Sequence, residues 1–292
     1  MAKMKKFRLL DAVLATVCIT LVVESVAPTA AIGNSQYFWW LLLIAGFCVP
    51  YGMITAELGT TYPSEGGMYD WVKKAFGEKW ASRVAWNYWI NFPLWIASLA
   101  VAVTDVVAGI FGVELSLIWL LVLQLGYTWL VCFLGTRRVT DTKYLVNLGT
   151  VFKVVFVLAL GALGIYTFIK TGESANPIKS VSDLLPSLDL AGLSFVSIII
   201  FNFLGFEVVG TFVDDMENPK KDIPKALVVG GILMALFYIL PATGVNVSMS
   251  LEDAEVASIT ESFAILLTNL GVSSDIVRVV VIVAGLMFIY TM

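Results

Sequence analysis

The feature that most constrains this chain is a series of apolar stretches, each long enough to cross a membrane as a helix. About 20 apolar residues span the hydrocarbon core of a bilayer. Seven such stretches and the start of an eighth lie near residues 9–33, 36–60, 84–112, 116–135, 144–169, 191–213, 226–247 and 274–292. Only 14% of the 292 residues are charged and 59% are hydrophobic, which excludes an ordinary soluble domain and a disordered chain. The sequence therefore predicts an all-α polytopic membrane protein.

The basic residues are distributed as the positive-inside rule requires. With a cytoplasmic N-terminus, fourteen of the 18 lysines and arginines fall in cytoplasmic segments, and only Lys170, Lys179 and Arg278 fall outside. The one remaining basic residue, Lys153, lies within a predicted span. This pattern predicts a multi-pass protein of the plasma membrane with its N-terminus in the cytoplasm.

The apolar stretches at the two ends of the chain each suggest a specific interpretation. A cleaved signal peptide is an alternative interpretation of the first stretch, but Asp11 and Glu24 are unusual in such a segment. At the other end the sequence stops at Met292 within an apolar run, so we expect a chain that is cut within its eighth helix.

The first stretch combines a proline with a carboxylate. Pro28 lacks an amide hydrogen and clashes with the preceding turn, so it is expected to kink or open the helix. Glu24 lies one turn earlier, and a carboxylate at that depth is costly unless it is paired or solvated. Open backbone in a membrane is tolerated only where it lines a cavity or is buried in protein. A proline kink alone is usually structural, whereas this combination predicts a functional site.

The sixth stretch repeats the theme. Gly205 and Gly210 loosen the helix on either side of Glu207. Five spans separate the starts of the two interrupted stretches, and an odd number of spans gives a second repeat with inverted topology. Paired interrupted helices of this kind indicate the binding site of a transporter. We therefore expect a first five-helix repeat over residues 1–170 and the first part of an inverted repeat over 171–292.

The fifth stretch carries a cation inside the membrane, Lys153. Burial disfavours the charged ammonium, whereas a nearby carboxylate favours it, which makes Lys153 a candidate proton carrier. The alternative is a static ion pair with Glu24, Glu207 or Asp105. Asp105, in the third stretch, is a weaker candidate site residue, expected near the outer mouth.

The absence of histidine removes the usual general base and the commonest zinc ligand. We expect no metal and no cofactor. The three cysteines, Cys18, Cys48 and Cys132, lie in apolar runs and are expected to be reduced packing residues. A membrane-embedded enzyme that uses Ser25 and Lys153 as nucleophile and base is a distant alternative that nothing else in the sequence supports.

Three motifs in order resemble those of the amino acid–polyamine–organocation transporters, over essentially the whole chain. They are Ile-Thr-Ala-Glu-Leu-Gly at 54–59 with Pro63 and Gly66-Gly67, Asn147 with Lys153, and Gly-Phe-Glu at 205–207 with Glu-Asn-Pro-Lys-Lys-Asp-Ile-Pro-Lys-Ala at 217–226. The resemblance implies a five-plus-five inverted-repeat fold with discontinuous first and sixth helices. It also implies that this chain holds the first repeat and roughly half of the second.

The resemblance also implies roles for individual residues. Glu207 matches an acid that is linked to proton sensing in related exchangers. Lys153 matches a lysine that fills the place of a sodium ion in some proton-coupled relatives. Phe201 matches an aromatic residue that covers or stacks on the substrate. The break in the first helix matches the usual backbone site for a substrate carboxylate.

One departure bears on the substrate. Amino acid transporters of this type commonly have Gly-Ser-Gly in the first break, whereas this chain has Glu24-Ser25-Val26-Ala27-Pro28. Pro28 supplies no donor and Glu24 adds a negative charge, so the break suits a cation better than an anion. The pattern is similar to that of polyamine uptake carriers and agmatine–putrescine exchangers.

Together these features predict a secondary-active transporter of amino acids or their decarboxylated amines, with agmatine- and putrescine-type amines favoured. It would work by proton coupling or exchange, with alternating access, and the alternative is a permease for zwitterionic or neutral amino acids. Its partners would be the substrate, protons and the lipid bilayer, without nucleic acid; an oligomer is compatible with the sequence. The residues expected to couple protons to transport are Glu207 and Lys153. The substrate-binding candidates are Glu24, Ser25, Val26, Ala27, Asp105, Phe201, Asn202, Gly205 and Glu207.

Overall fold

The computed structural model describes residues 7–137, 139–186, 190–256 and 258–292, and most of them are helical. The helices are α1 Leu9–Thr20, α2 Val26–Ala30, α3 Gln36–Leu43, α4 Val49–Thr61, α5 Met68–Phe76, α6 Glu78–Trp89, α7 Asn91–Phe111, α8 Leu117–Gly135, α9 Val139–Thr171, α10 Leu190–Asn202, α11 Pro219–Ser248, α12 Leu251–Val256, α13 Ile259–Asn269 and α14 Ser274–Thr291. Short 3₁₀ segments cover Val23–Ser25, Gly33–Ser35, Val181–Leu184 and Phe206–Asp215, and one π-helical turn covers Ile44–Cys48. Across the described ranges there is no β-strand, only an isolated bridge between Phe7 and Met216.

The pattern of membrane spans follows the apolar stretches of the sequence. Seven helical segments within the described ranges are long and apolar enough to cross a membrane, and the bent pair α1–α2 brings the number to eight. The third span is longer than expected, since it begins at Glu78 rather than near residue 84. The prediction of an all-α polytopic membrane protein is confirmed.

The first span is broken where the sequence predicts a break. Helix α1 ends at Thr20, Leu21 and Val22 have extended backbone, and α2 continues at an angle of 43°. A continuous helix would press the ring of Pro28 against the carbonyl group of Glu24, four residues earlier. With the break upstream, Pro28 lies in the first turn of α2, where a missing amide hydrogen costs little.

The sixth span is also interrupted. Helix α10 ends at Asn202, and a 3₁₀ segment follows from Phe206. Gly205 between them has a φ of +112°, and a Cβ atom there would lie 2.8 Å from Cγ2 of Ile19 in α1. Only glycine accommodates both the left-handed backbone and the close approach to α1.

The core of the bundle depends on a close crossing of α9 and α11. Gly161 and Gly164 of α9 face Gly244 of α11, and a Cβ on Gly164 would lie 2.2 Å from the carbonyl oxygen of Gly244. Small residues let the backbones of membrane helices approach closely and gain dispersion contacts. Helix α1 packs on the same pair, since Thr150 Oγ1 of α9 donates a 3.0 Å hydrogen bond to Leu14 O.

A buried ion pair ties the start of α1 to the start of α9. Lys143 Nζ lies 3.0 Å from Asp11 Oδ2, and both residues are buried. Asn147 Nδ2 donates to Asp11 Oδ1 at 2.9 Å, and the backbone N–H of Arg8 donates to Oδ2 at 3.0 Å. Asp11 is therefore tolerated in an apolar stretch because several donors surround its carboxylate.

We expect Gly164→Ala to destabilise the full-length protein by about 1–3 kcal/mol, because the added methyl group overpacks the crossing of α9 and α11. Gly126→Ala in α8 is the matched control, since a Cβ there meets nothing within 4 Å. Both changes gain the same helix propensity, so thermal unfolding in detergent isolates the packing effect. Equal unfolding temperatures for the two variants would contradict the close crossing.

Candidate functional site

The break after α1 frees backbone groups inside the membrane, and two long side chains bind them. Tyr238 of α11 is fully buried; its hydroxyl donates to Thr20 O at 2.8 Å and accepts from the N–H of Val22 at 2.7 Å. On the α9 side, Lys153 Nζ donates to Cys18 O at 2.8 Å and to Leu21 O at 3.0 Å. The break is therefore a fixed structure held from two helices.

These bonds bear on the two interpretations of Lys153. Within the described ranges, no carboxylate oxygen lies within 4.0 Å of its ammonium group, so the direct ion pair with Glu24, Glu207 or Asp105 is not formed. Lys153 is 6% exposed and satisfies backbone carbonyl groups instead. It nevertheless lies within electrostatic range of Glu24.

Glu24 is the least satisfied acid at the break. Its Oε2 atom is buried and has no hydrogen-bond partner among the described residues. Besides Lys153, the hydroxyl-bearing rings of Tyr127 and Tyr238 lie within electrostatic range of its carboxylate. A buried carboxylate oxygen without a donor is costly, so a ligand that brings a donor or a positive charge to Glu24 gains binding energy.

A hydrogen bond joins the two interrupted spans. Ser25 Oγ lies 2.9 Å from Asn202 Oδ1 and 2.8 Å from Val22 O. Asn202 is fully buried, and its Nδ2 atom has no partner in the described part of the chain. Val26 and Ala27, the first residues of α2, are also buried. Five of the predicted site residues therefore lie at the first break: Glu24, Ser25, Val26, Ala27 and Asn202.

Glu207 has surroundings opposite to those of Glu24. Its Oε1 atom accepts a 2.7 Å hydrogen bond from the hydroxyl group of Tyr88, and its Oε2 atom accepts from the hydroxyl group of Tyr51 and from the N–H of Gly205 at 3.1 Å. Three donors from α4, α6 and the second break therefore hold one buried carboxylate. All three donors are neutral, and no lysine or arginine of the described residues lies within 4.0 Å of the Glu207 carboxylate.

A cavity leads to Glu207 from the end of the bundle that carries α5. Its volume is about 260 Å³, and its lining includes Met68, Tyr69, Tyr88, Thr211 and Glu207. Met68 and Tyr69 begin α5, which follows the loop after α4. A small solute or a proton carrier entering there would reach the carboxylate and one of its tyrosine donors.

Two predicted site residues are not part of either cluster. Phe201, in the last turn of α10, is 46% exposed. Asp105 in α7 is also exposed, and it forms no hydrogen bond or ion pair with another described residue. The structure therefore leaves the assignment of Phe201 and Asp105 to the binding site as a prediction.

Sequence reasoning missed the aromatic residues that organise the site. Tyr51, Tyr88 and Tyr238 supply the hydroxyl groups described above, and Trp40 stacks on Tyr238 with ring centroids 5.0 Å apart. The edge of Phe203 completes this cluster against Trp40. A tyrosine within an apolar span signals a buried hydroxyl group that needs a partner, but ten tyrosines offered no way to choose among them.

The nucleophile–base pair of Ser25 and Lys153 that the enzyme alternative requires is not formed. Ser25 Oγ forms hydrogen bonds with Val22 O and Asn202 Oδ1. Lys153 Nζ forms hydrogen bonds with Cys18 O and Leu21 O. The two side chains therefore have separate partners instead of forming a nucleophile–base pair.

The chain is similar in sequence to several known transporters. A probable agmatine/putrescine antiporter of Lactococcus lactis is 46% identical over 264 residues, which cover 90% of this chain and 56% of that protein. An L-methionine/branched-chain amino acid exporter of Escherichia coli is 28% identical over 74% of this chain and 49% of its own length. A probable polyamine transporter of Arabidopsis thaliana is 28% identical over 73% of this chain and 44% of its own length. The chain spans about half the length of these relatives.

These descriptions are of transporters, so the enzyme alternative has no support. The model of the amino acid permease family matches residues 7–292, which include both interrupted spans. Taken with the 46% identity across most of the sequence, this match shows that the chain belongs to the amino acid permease family, within the amino acid–polyamine–organocation superfamily.

Proposed function

We propose that this chain is the substrate-binding part of a secondary transporter for organic cations of the agmatine or putrescine type. The observation that carries the proposal is the buried Oε2 atom of Glu24, which has no partner in the described structure. An ammonium or guanidinium group would donate to it and neutralise its charge. The names of the Lactococcus and Arabidopsis relatives support amines as the substrate class.

The rest of the first break also favours a cation. A carboxylate ligand needs free backbone N–H groups, but Pro28 has none and the N–H of Val22 is bonded to Tyr238. The carboxylate of Glu24 would repel such a ligand. A zwitterionic or neutral amino acid is the second candidate, favoured by the amino acid exporter of Escherichia coli among the relatives.

We assign the surrounding candidates to binding as follows. Ser25, Val26 and Ala27 would form one wall of the site and Asn202 another, where its free Nδ2 atom is available to a ligand. Gly205 allows the second break to approach α1. Phe201 would supply a cation–π face. Asp105 would attract cations from the outer side of the membrane.

The proposed mechanism is alternating access by two inverted repeats, residues 1–170 and 171–292, in a plasma membrane protein with a cytoplasmic N-terminus. Two contacts between the interrupted spans support their movement as one unit: the hydrogen bond between Ser25 and Asn202, and the close approach of Gly205 to Ile19. Substrate bound to Glu24 would lie at this junction, so binding would bias both breaks together.

We further propose that Glu207 and Lys153 couple protons to transport. As a carboxylate, Glu207 accepts hydrogen bonds from Tyr51, Tyr88 and Gly205. A proton on it removes the negative charge that strengthens these hydrogen bonds, so the tie between the second break and α4 or α6 loosens. Lys153 binds the first break through donated hydrogen bonds, and loss of its proton would remove one of them.

The substrate class can be tested with the full-length protein in liposomes and labelled putrescine, agmatine and neutral amino acids. We expect uptake of the amines and a loss of about tenfold to hundredfold in their apparent affinity in Glu24→Gln, because a charge-assisted hydrogen bond is removed. Glu57→Gln is the control, since Glu57 is an exposed acid near the end of α4. Equal losses for amines and neutral amino acids would argue against the cation site, and transport of neither class would refute the proposed function.

We expect Glu207→Gln to flatten the pH dependence of transport while leaving the protein folded. The amide keeps one acceptor oxygen for a tyrosine but cannot gain or lose a proton. Uptake is measured across pH 5 to pH 8, and Tyr88→Phe serves as the comparison because it removes one hydrogen bond without removing the titrating group. An unchanged pH profile in Glu207→Gln would exclude Glu207 as the coupling group.

Lys153→Met separates the two roles of the lysine. The methionine keeps most of the length of the side chain but donates no hydrogen bond to Cys18 O or Leu21 O, so we expect a lower unfolding temperature, with about 1–3 kcal/mol lost for each carbonyl left without a donor. If Lys153 also carries a proton, the pH dependence of uptake changes as well. A loss of stability with the wild-type pH profile would limit Lys153 to holding the break.

A further inference from the structure

A long apolar groove lies on the outside of the bundle, between α4 and α11. Its volume is about 460 Å³, and it is lined by side chains from Ile44 to Ala56 on one wall and from Pro224 to Leu236 on the other. None of the lining residues is charged. The lining residues of each wall span twelve residue steps of helix, or about 18 Å, which is more than half of the ~30 Å hydrocarbon core.

Local backbone geometry makes this groove. The wall of the second span changes from π-helix to α-helix at Cys48–Val49, next to Pro50, which cannot donate a helical hydrogen bond. One turn later Gly52 leaves the floor of the groove open, since a Cβ there would meet nothing within 4 Å. The rims are wide open, because Met53 and Val228 are 68% and 63% exposed.

One end of the groove carries two exposed lysines on the α11 wall and one exposed acid, Glu57, on the α4 wall, so basic residues are in excess there. Lys220 and Lys221 precede Pro224 by four and three residues in α11, so they extend the face of the helix that forms the wall. Both lysines are exposed, and neither forms an ion pair with a described carboxylate. Nearby Glu217 lies 3.9 Å from Arg8 instead. An occupant of the groove would therefore be apolar along its length and anionic at this end.

We propose that the groove between α4 and α11 binds one acyl chain of an anionic phospholipid, with its phosphate group against Lys220 and Lys221. The apolar walls match a hydrocarbon chain, and the two lysines match a headgroup of net negative charge at the membrane surface. A second protein helix would need small residues along its face and an acidic residue opposite the two lysines. A zwitterionic phospholipid would fit the walls but would gain less from the lysines.

A lipid in the groove would contact the two helices that carry Tyr51 and Tyr238 of the candidate site. Tyr51, which donates to Glu207, is next to Gly52 in α4, and Tyr238, which binds the first break, is in α11. A lipid that spans both helices would stabilise their relative position. This consequence rests on the proposed transport function, but lipid binding itself does not.

The test is native mass spectrometry of the full-length protein with dioleoyl phosphatidylglycerol or dioleoyl phosphatidylcholine, which have identical chains. We expect one tightly held phosphatidylglycerol per protein chain. Lys220→Gln with Lys221→Gln should weaken it by about 25-fold, since each lysine near a membrane surface contributes about fivefold. Gly52→Leu should displace it by filling the groove. The matched controls are Lys74→Gln with Lys79→Gln, at exposed lysines away from the groove, and Gly126→Leu, where added atoms also meet open space.

Each other result overturns a defined part of the proposal. If Gly52→Leu holds phosphatidylglycerol as the wild type does, the lipid does not occupy this groove, and another segment or partner covers it. If both phospholipids bind equally and the lysine variant has no effect, the headgroup assignment is wrong. Because binding is measured without transport, a failure here leaves the proposed function standing, and a failure of uptake leaves lipid binding intact.

Discussion

The structure of the site depends on one constraint: a backbone group inside a membrane needs a hydrogen-bond partner from the protein, because water is not there to supply one. Helix α1 stops at Thr20, yet the chain continues across the membrane. Tyr238 and Lys153 satisfy the groups that this break frees. The break is thus stable only while α9 and α11, which carry these side chains, stay packed against α1.

This dependence explains the close crossing of α9 and α11. The two helices approach at Gly161, Gly164 and Gly244, where backbone meets backbone. A wider crossing would move Lys153 and Tyr238 apart, so the two side chains would no longer both reach the break. The ion pair between Asp11 and Lys143 fixes the other end of α1 to α9. Packing far from the site therefore sets the geometry of the hydrogen bonds within it.

How much of this could be predicted depends on how far apart in the chain the partners lie. The spans, the break before Pro28 and the glycine at the second break are local patterns, and the sequence predicted all three. The partners of the freed groups are not local: Val22 and Tyr238 are 216 residues apart, and Tyr51 and Glu207 are 156 apart. No periodicity or charge count connects such residues.

Lys143 shows how a correct pattern can conceal a contact. Counting basic residues predicted a cytoplasmic position for this lysine, which lies near the start of α9. The structure buries it against Asp11, an acid that looked unusual in an apolar stretch. Each residue alone suggested a different explanation, because a charge pattern reports the side of a membrane and not the partner.

The two candidate site acids also look alike in sequence but differ in their hydrogen-bond partners. Glu24 and Glu207 both lie at helix breaks, and in sequence they look equivalent. Glu24 has an oxygen without a donor, so its free energy falls when a cationic ligand arrives. Glu207 already has three donors and gains little from another; a proton removes its charge and weakens the hydrogen bonds that it accepts. Under the proposed transport function, hydrogen bonding thus divides substrate recognition and proton response between two chemically identical side chains.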